Sequence, residues 1–351
     1  MVAQRVIVTG GAGFIGSHTC KALSRAGYLP VAVDNLSNGS AEAVLWGPLE
    51  KGSLEEPGFL DGVFRRHKPV GVLHFAALIE AGESVRSPGR FYRNNVAGTL
   101  ALTEAMARED VDTLILSSTA AIYGNAGGEP IKESHPWQPV NPYGQSKLMA
   151  ETILADLAAA NGLRFTALRY FNASGADPDG ELGERHDPET HLIPLVLQAA
   201  LGQRPDIRIF GTDYPTPDGT CIRDYVHVHD LADAHVRALR RMLDGGGNIR
   251  LNLGNGRGFS VREIIRTTGE VTGLPIRAIE EARRPGDPAI LIADASMARE
   301  HLGWTPAWPD VADHVRHAAT WFQRQWGLEA ETVPTVPIWE NIFPTPAVAM
   351  P

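Results

Sequence analysis

The chain has 351 residues, 43% hydrophobic and 21% charged, which supplies a sizeable core and suggests about two domains. A formal charge of −9 argues against non-specific binding to nucleic acid or to an anionic membrane, and no run approaches the roughly 20 apolar residues of a membrane span. No charged leader precedes the first strand-like run at Arg5-Val6-Ile7-Val8, and Cys20 and Cys221 are far apart, so a cytoplasmic protein is expected, with reduced thiols, no disulfide framework, no cysteine metal cluster and a small-molecule partner.

In chain order, residues 6–9, 29–33, 70–74, 113–117 and 165–169 read as strands, because short β-branched runs recur there. Helical periods lie at about 14–26, 88–108 and 141–160. Five βα units in succession predict an α/β fold, a Rossmann-type doubly wound parallel sheet. Beyond Asn172 the chain turns rich in Gly and Pro, as in 175–180 and 213–219, a composition of loops that wrap ligands. Regular βα patterning returns at 226–244, and a strand-like run follows at 249–253. The expected division is therefore a dinucleotide-binding domain over 1–172, rejoined by 226–254, and a smaller, interleaved α/β substrate domain from 173–225 and 255–330. Residues 331–351 hold five prolines and read as a tail.

The first strand runs into Gly10-Gly11-Ala12-Gly13-Phe14-Ile15-Gly16. A Gly-x-Gly-x-x-Gly spacing is weak alone. Here the strand before it, the helix after it and Asp34 at the end of the next strand supply the context of a dinucleotide site. Glycine permits the tight turn and lets backbone N–H groups approach a pyrophosphate at the helix N-terminus. Asp34 can accept hydrogen bonds from ribose hydroxyls and would repel a 2′-phosphate, so NAD is expected rather than NADP. Farther on, Asn141-Pro142-Tyr143-Gly144-Gln145-Ser146-Lys147 opens a helix and puts Tyr143 and Lys147 one turn apart on one face. A free phenol titrates near ~10, so a useful phenolate at neutrality needs a shift of ~3 units, roughly 4 kcal/mol. A lysine ammonium and a positive nicotinamide ring both favour that anion. Thr119 follows a strand's C-terminal end, where open α/β sheets bind ligands, and its hydroxyl could bridge substrate and base.

Thr119, Tyr143 and Lys147 with the loop of Gly10, Gly13 and Gly16 resemble the extended short-chain dehydrogenase/reductase superfamily. Within it, the chain is similar to the UDP-glucose 4-epimerase family over about residues 4–320, through the stretches 74–77, 82–84, 94–96, 168–172, 209–216, 218–220 and 222–228. The resemblance implies interconversion of UDP-glucose and UDP-galactose through a transient 4-keto sugar. Tyr143 takes the C4 hydroxyl proton, assisted by Thr119 and Lys147, and NAD stays bound. UDP-N-acetylhexosamines and UDP-pentoses are the alternative substrates. It also implies cofactor contacts from Gly10, Gly13, Phe14, Ile15, Gly16, Asp34, Asn35, Ser53, Leu54, Phe75, Ala76, Ala77, Asn95, Ser117, Tyr143, Lys147 and Tyr170. The UDP-hexose would meet Thr119, Tyr143, Tyr170, Asn172, His191, Leu192, Phe210, Arg223, Tyr225, Arg284, Asp287 and Leu291. In this set Asn172, Arg223 and Arg284 serve the diphosphate, whose oxygens match the guanidinium fork. Phe210 and Asp287 serve the uridine, Tyr170 the hexose or nicotinamide region, and Leu291 a gate at the hexose N-acetyl position. A homodimer through the helices at about 88–108 and 141–160 is implied as well.

Departures from the family pattern are Ile79 beside Glu80 where some members carry lysine, Ser53 after Gly52 where an aspartate often meets the adenine, and His191 where asparagine is familiar. A dehydratase or decarboxylase relative would carry acidic residues just after the catalytic hydroxyl. Ala120 and Ala121 stand there instead, and alanine cannot exchange protons. A catalytically silent NAD-sensing relative would show a broken triad. His227 and His229 are expected on one strand face as structural residues, with no metal, because nothing nearby in sequence completes a zinc set.

Overall fold

The computed structural model describes residues 3–126, 128–284 and 287–328, so the Pro-rich stretch 331–351 lies outside the described residues. The strands in chain order are β1 (Arg5–Thr9), β2 (Leu29–Asp34), β3 (Leu49–Lys51), β4 (Gly71–His74), β5 (Thr113–Thr119), β6 (Arg164–Tyr170), β7 (Asn172–Ser174), β8 (Ile207–Phe210), β9 (Ile222–His227), β10 (Ile249–Leu253), β11 (Gly258–Ser260), β12 (Ala278–Glu281) and β13 (Ile290–Leu291). Seven of them make one sheet in the order β10-β6-β5-β4-β1-β2-β3, with every neighbouring pair parallel. The fold is thus the expected α/β, Rossmann-type architecture. Strand order reverses between β1 and β4, and that switch opens a crevice at the carboxyl ends of the strands.

The sheet forms because alternate residues of each strand are buried on opposite faces. Val6, Val8, Leu73, Ile115 and Leu168 share one core with Leu23 of the helix Phe14–Arg25 and with Leu231 and Leu239 of the helix Val228–Leu243. Ile7, Val31, Val72, Leu114 and Leu116 face the other way, onto Phe64, Leu102, Met106 and Leu154. The late strand β10 joins this sheet beside β6, with Leu251 opposite Leu168. Outside it, β9 is flanked by β11, β13 and β7, β8 pairs with β12, and Ile193, Ile209, Ile264, Val315 and Phe322 fill a separate core.

Three features depart from the sequence reading. The edge strand β3 and the helix Phe59–His67 were not expected; β3 is only three residues long and half-exposed, whereas the helix buries Leu60, Val63, Phe64 and His67 at helical spacing. The helical period at 88–108 is real but divided, with a π-helical stretch at Tyr92–Ala97 between Pro88–Phe91 and Gly98–Arg108. His227 and His229 do not share a strand face, since His227 ends β9 and its Nδ1 accepts the N–H of His229 in the next helix, at 3.1 Å.

One ion cluster ties the dinucleotide helix to the loop after β7. Lys21, one-twentieth exposed, holds Asp177 at 2.6 Å, Asp179 at 2.8 Å and Glu181 at 2.6 Å. Burial works against its charge, but these partners raise its pKa overall. Lys21→Met would strand the buried Asp177 carboxylate. Breaking a buried pair from one side costs roughly 3–5 kcal/mol, and the half-exposed Asp179 and Glu181 put this case near about 3 kcal/mol. Urea denaturation should show that loss as a lower midpoint at unchanged slope; wild-type stability in the variant would contradict the role.

Candidate active site

A cleft of about 400 Å³ lies along the strand-order switch. At one end Gly10, with φ +70°, lies so close to β4's exit that a Cβ there would sit 2.7 Å from the Ala76 nitrogen. A Cβ on Gly16 would meet the Gly10 carbonyl at 2.1 Å. Only glycine lets these segments close. The helix after them starts from Gly13 with no side-chain cap, which leaves first-turn N–H groups for an anion beside Phe14 and Ile15 on the cleft wall. Asp34 is aimed by two backbone donors, Ala12 N–H at 3.0 Å and Leu36 N–H at 2.8 Å, with lone pairs to spare for hydroxyls. Asn35, Ser53, Leu54, Phe75, Ala76 and Ala77 line the same wing. A cradle without side chains, an uncapped helix and a fixed carboxylate together fit a dinucleotide. Asn95 does not line the cleft. It lies buried behind the wall, where its carboxamide receives Leu78 N–H at 2.8 Å and donates to Leu78 O and Ser146 Oγ, both at 3.0 Å. The π-helical stretch brings it there.

At the centre, β5 carries Ser117 and Thr119 on its cleft side. The helix Pro142–Asn161 begins against it, with Asn141 accepting Gly144 N–H at 2.9 Å as its cap and Pro142 at the first helical position. That start places Lys147 Nζ 2.8 Å from the Ser117 carbonyl. Burial lowers the Lys147 pKa to about 8, against the pull of Glu151 one turn on. Tyr143 hydrogen-bonds Thr119; burial raises its pKa, the Thr119 contact lowers it, and the net direction is up. Tyr170 hydrogen-bonds the Ser117 hydroxyl, and burial pushes its phenol up too. Tyr143, which lines the same cleft as Lys147, thus favours the neutral phenol. A phenolate here calls for positive charge, which is what an oxidised nicotinamide ring carries. Beneath them Glu151 is fully buried, bound by Arg169 at 2.6 Å, Arg250 at 3.0 Å and Ser118 at 2.5 Å.

The far wing is lined by Asn172, His191, Arg223 and Leu291. Asn172 donates to the Asp224 carbonyl at 3.2 Å, and Arg223 pairs with Asp287 at 2.7 Å. Phe210, Arg284 and Asp287 stand outside the cleft proper; the Arg284 guanidinium lies 3.9 Å over the Phe210 ring, and Asp287 alone of the three pairs with Arg223 of the cleft wall. Leu192 starts a helix behind His191 and does not line the cleft. Tyr225 is another correction, because its side chain packs into the smaller core and not toward the cleft. Glu184 and His186 do line it and were missed by the sequence reading. Their signal was available as histidines at 186 and 191 flanked by glutamates at 184 and 189. Burial opposes charge on His191, but the Glu184 carboxylate beside it raises its pKa, and Glu184 is correspondingly lowered.

A family model described as the NAD dependent epimerase/dehydratase family matches residues 6–254. A UDP-glucose 4-epimerase of Rhizobium meliloti (strain 1021) is 50% identical over 325 residues, 93% of this chain and 99% of that protein. The crystal structure of UDP-glucose 4-epimerase from Brucella ovis in complex with NAD matches with a TM-score of 0.89 at 51% identity, over 90% of this chain and 98% of that one. A second structure, UDP-glucose-4-epimerase from Stenotrophomonas maltophila with bound NAD and formylated UDP-arabinopyranose, matches with a TM-score of 0.89 at 40% identity, over 92% and 99%.

The depressed lysine has a measurable consequence. Its folded value near 8 lies below its ordinary 10.5, so the penalty for a buried ammonium is complete below about pH 8 and fades as pH rises toward 10.5. That shift corresponds to about 3 kcal/mol. Lys147→Met should therefore unfold at higher denaturant than wild type at neutral pH, by up to about 3 kcal/mol. The advantage should shrink through that alkaline window. A variant no more stable than wild type, or an advantage unchanged with pH, would contradict this reading.

Proposed function

The chain belongs to the NAD dependent epimerase/dehydratase family, and from that premise we propose that it is an NAD-dependent isomerase that interconverts UDP-glucose and UDP-galactose at C4. The observation that carries the proposal is Thr119, Tyr143 and Lys147 meeting in one cleft with the glycine cradle. Bound NAD supplies the acceptor and later the donor of the hydride at C4. The chain's own residues handle protons, position and grip. Tyr143 removes the C4 hydroxyl proton and Thr119, hydrogen-bonded to it, keeps the phenol oriented; the same proton returns to the inverted alcohol. Lys147 holds positive potential beside the phenol and is itself fixed on the Ser117 carbonyl.

Ala120 and Ala121 follow Thr119 with no group at that place to run an elimination, which favours re-reduction of the 4-keto sugar. Inversion requires that the hexose turn while the nucleotide stays. Asn172, Arg223 and Arg284 are assigned to the diphosphate, Phe210 and Asp287 to the uridine, and Tyr170 to the hexose or nicotinamide region. The proposal includes a cytoplasmic homodimer. Leu100 and Met149 support the dimer as exposed apolar side chains on the helices Gly98–Arg108 and Pro142–Asn161, and free Cys20 and Cys221 suit a reducing compartment.

Proton transfer by a positioned group is worth ~10²–10⁴-fold. Tyr143→Phe should lose at least ~10²-fold in kcat while binding UDP as wild type does in calorimetry. Near-normal turnover would remove Tyr143 as the base.

Leu291, on β13 beside Arg223, is assigned as the gate at the sugar's C2 substituent. Its branched side chain occupies volume and offers no donor to an acetamido group. Shape discrimination in an apolar pocket is worth ~1–3 kcal/mol, so kcat/KM should favour UDP-galactose over its N-acetyl analogue by roughly 10–200-fold, and Leu291→Ser should shrink that ratio. Equal efficiency in wild type, or an unchanged ratio in the variant, would rule out the gate.

A further inference from the structure

Glu184, His186, Glu189 and His191 lie between β7 and the helix Leu192–Ala200, with one ligand atom from each within 4.8 Å of all the others. Neither the glycine cradle nor the tyrosine–lysine pair accounts for such a cluster. Glu184 Oε1 is approached by His191 Nδ1 at 2.7 Å and by His186 Nδ1 at 2.9 Å, and His191 Nδ1 also lies 3.3 Å from Glu189 Oε1. Yet Glu184 Oε1 and His191 Nδ1 are both buried with no hydrogen-bond partner, and only 3% of the Glu184 side chain is exposed. These polar atoms crowd within 2.7–3.3 Å of one another as ion pairs of poor hydrogen-bond alignment. Ligand atoms do this around a shared cation: at tetrahedral bond lengths of ~2.0–2.1 Å, neighbouring ligands stand about 3.3 Å apart.

The donor set points the same way, since carboxylate and imidazole are both ligands of such ions. Glu189 is already oriented, since its Oε1 accepts the N–H groups of Thr190 at 2.7 Å and His191 at 2.8 Å. Two other clusters lack this combination. Asp177, Asp179 and Glu181 already converge on a cation, the Lys21 ammonium. His227 and His317 touch at 3.0 Å beside His314, but His314 has both ring nitrogens engaged, with Ser174 at 2.8 Å and the Trp308 carbonyl at 2.7 Å.

We propose that Glu184, His186, Glu189 and His191 bind one divalent transition cation of the zinc class in the wall of the cleft. Mixed imidazole and carboxylate ligands select such borderline ions over Mg²⁺ and Ca²⁺, which prefer all-oxygen shells. Glu184, His186 and His191 all line the cleft, so the ion can be reached from it.

The test uses the full chain, stripped with a chelator and titrated with Co²⁺ as an optical probe and with Zn²⁺ by calorimetry. One ion per chain is expected, with visible Co²⁺ bands of a low-coordinate site. Affinity should weaken as pH falls, because protons compete for the imidazoles. Glu184→Gln and His186→Ala should each weaken binding by at least about 10-fold, while His317→Ala should bind as wild type does. His186 is the more accessible position, so its variant keeps the test open if Glu184→Gln fails to fold. No saturable binding, binding unchanged in His186→Ala, or binding lost in His317→Ala would overturn the proposal.

Discussion

Lys147 lies in the interior with its ammonium on the Ser117 carbonyl, in surroundings that favour the uncharged amine. Much of the surrounding structure keeps that position tenable. The Asn141 cap and Pro142 start the helix where β5 ends, so that one turn later the lysine reaches the strand's backbone. One further turn on, Glu151 supplies the opposite charge, and it is held by Arg169 from β6 and Arg250 from β10. Three strands of the sheet and one helix are therefore organised around a single cation. That arrangement lowers stability locally and leaves Tyr143 and Lys147, the proposed proton-handling pair, in one cleft, a trade common to catalytic sites.

The sheet topology decides what stands opposite that pair. Because strand order reverses between β1 and β4, the glycine loop and the helix Pro142–Asn161 border the same crevice. The two ends of the cleft are built differently. Gly10, Gly16 and Asp34 make a close backbone cradle, suited to a ligand held throughout the cycle. The far end rests on side chains from β7, β9 and β13 and on loops, and Lys21 joins that region to the dinucleotide helix. A reaction with no net redox change needs that asymmetry, with a fixed cofactor and a sugar free to turn.

What was legible in the sequence was local. The glycine loop, Asp34, and Tyr143 with Lys147 lie within single βα units, and the burial of whole strands gave them continuous apolar runs. The strand β3 escaped because three half-exposed residues carry no period. Asn95 and Tyr225 sit in stretches that resemble family motifs, yet a resemblance does not say which way a side chain points. Asn95 turns behind the cleft wall through a π-helical insertion, and Tyr225 turns into the smaller core. The meeting of Glu184 and His186 with His191 depends on how one irregular loop folds back on itself, which no periodicity encodes. The pairing of Lys21 with Asp177 spans 156 positions and was equally hidden.

The central claim is that the hydrogen on C4 leaves and returns within one closed cleft. Its most direct test is to convert UDP-galactose carrying deuterium at C4 and to examine the UDP-glucose formed by mass spectrometry and NMR. Full retention of deuterium at C4, with no NADH accumulating in solution, is the expected result. Loss of the label to water, or stoichiometric release of NADH, would contradict the mechanism.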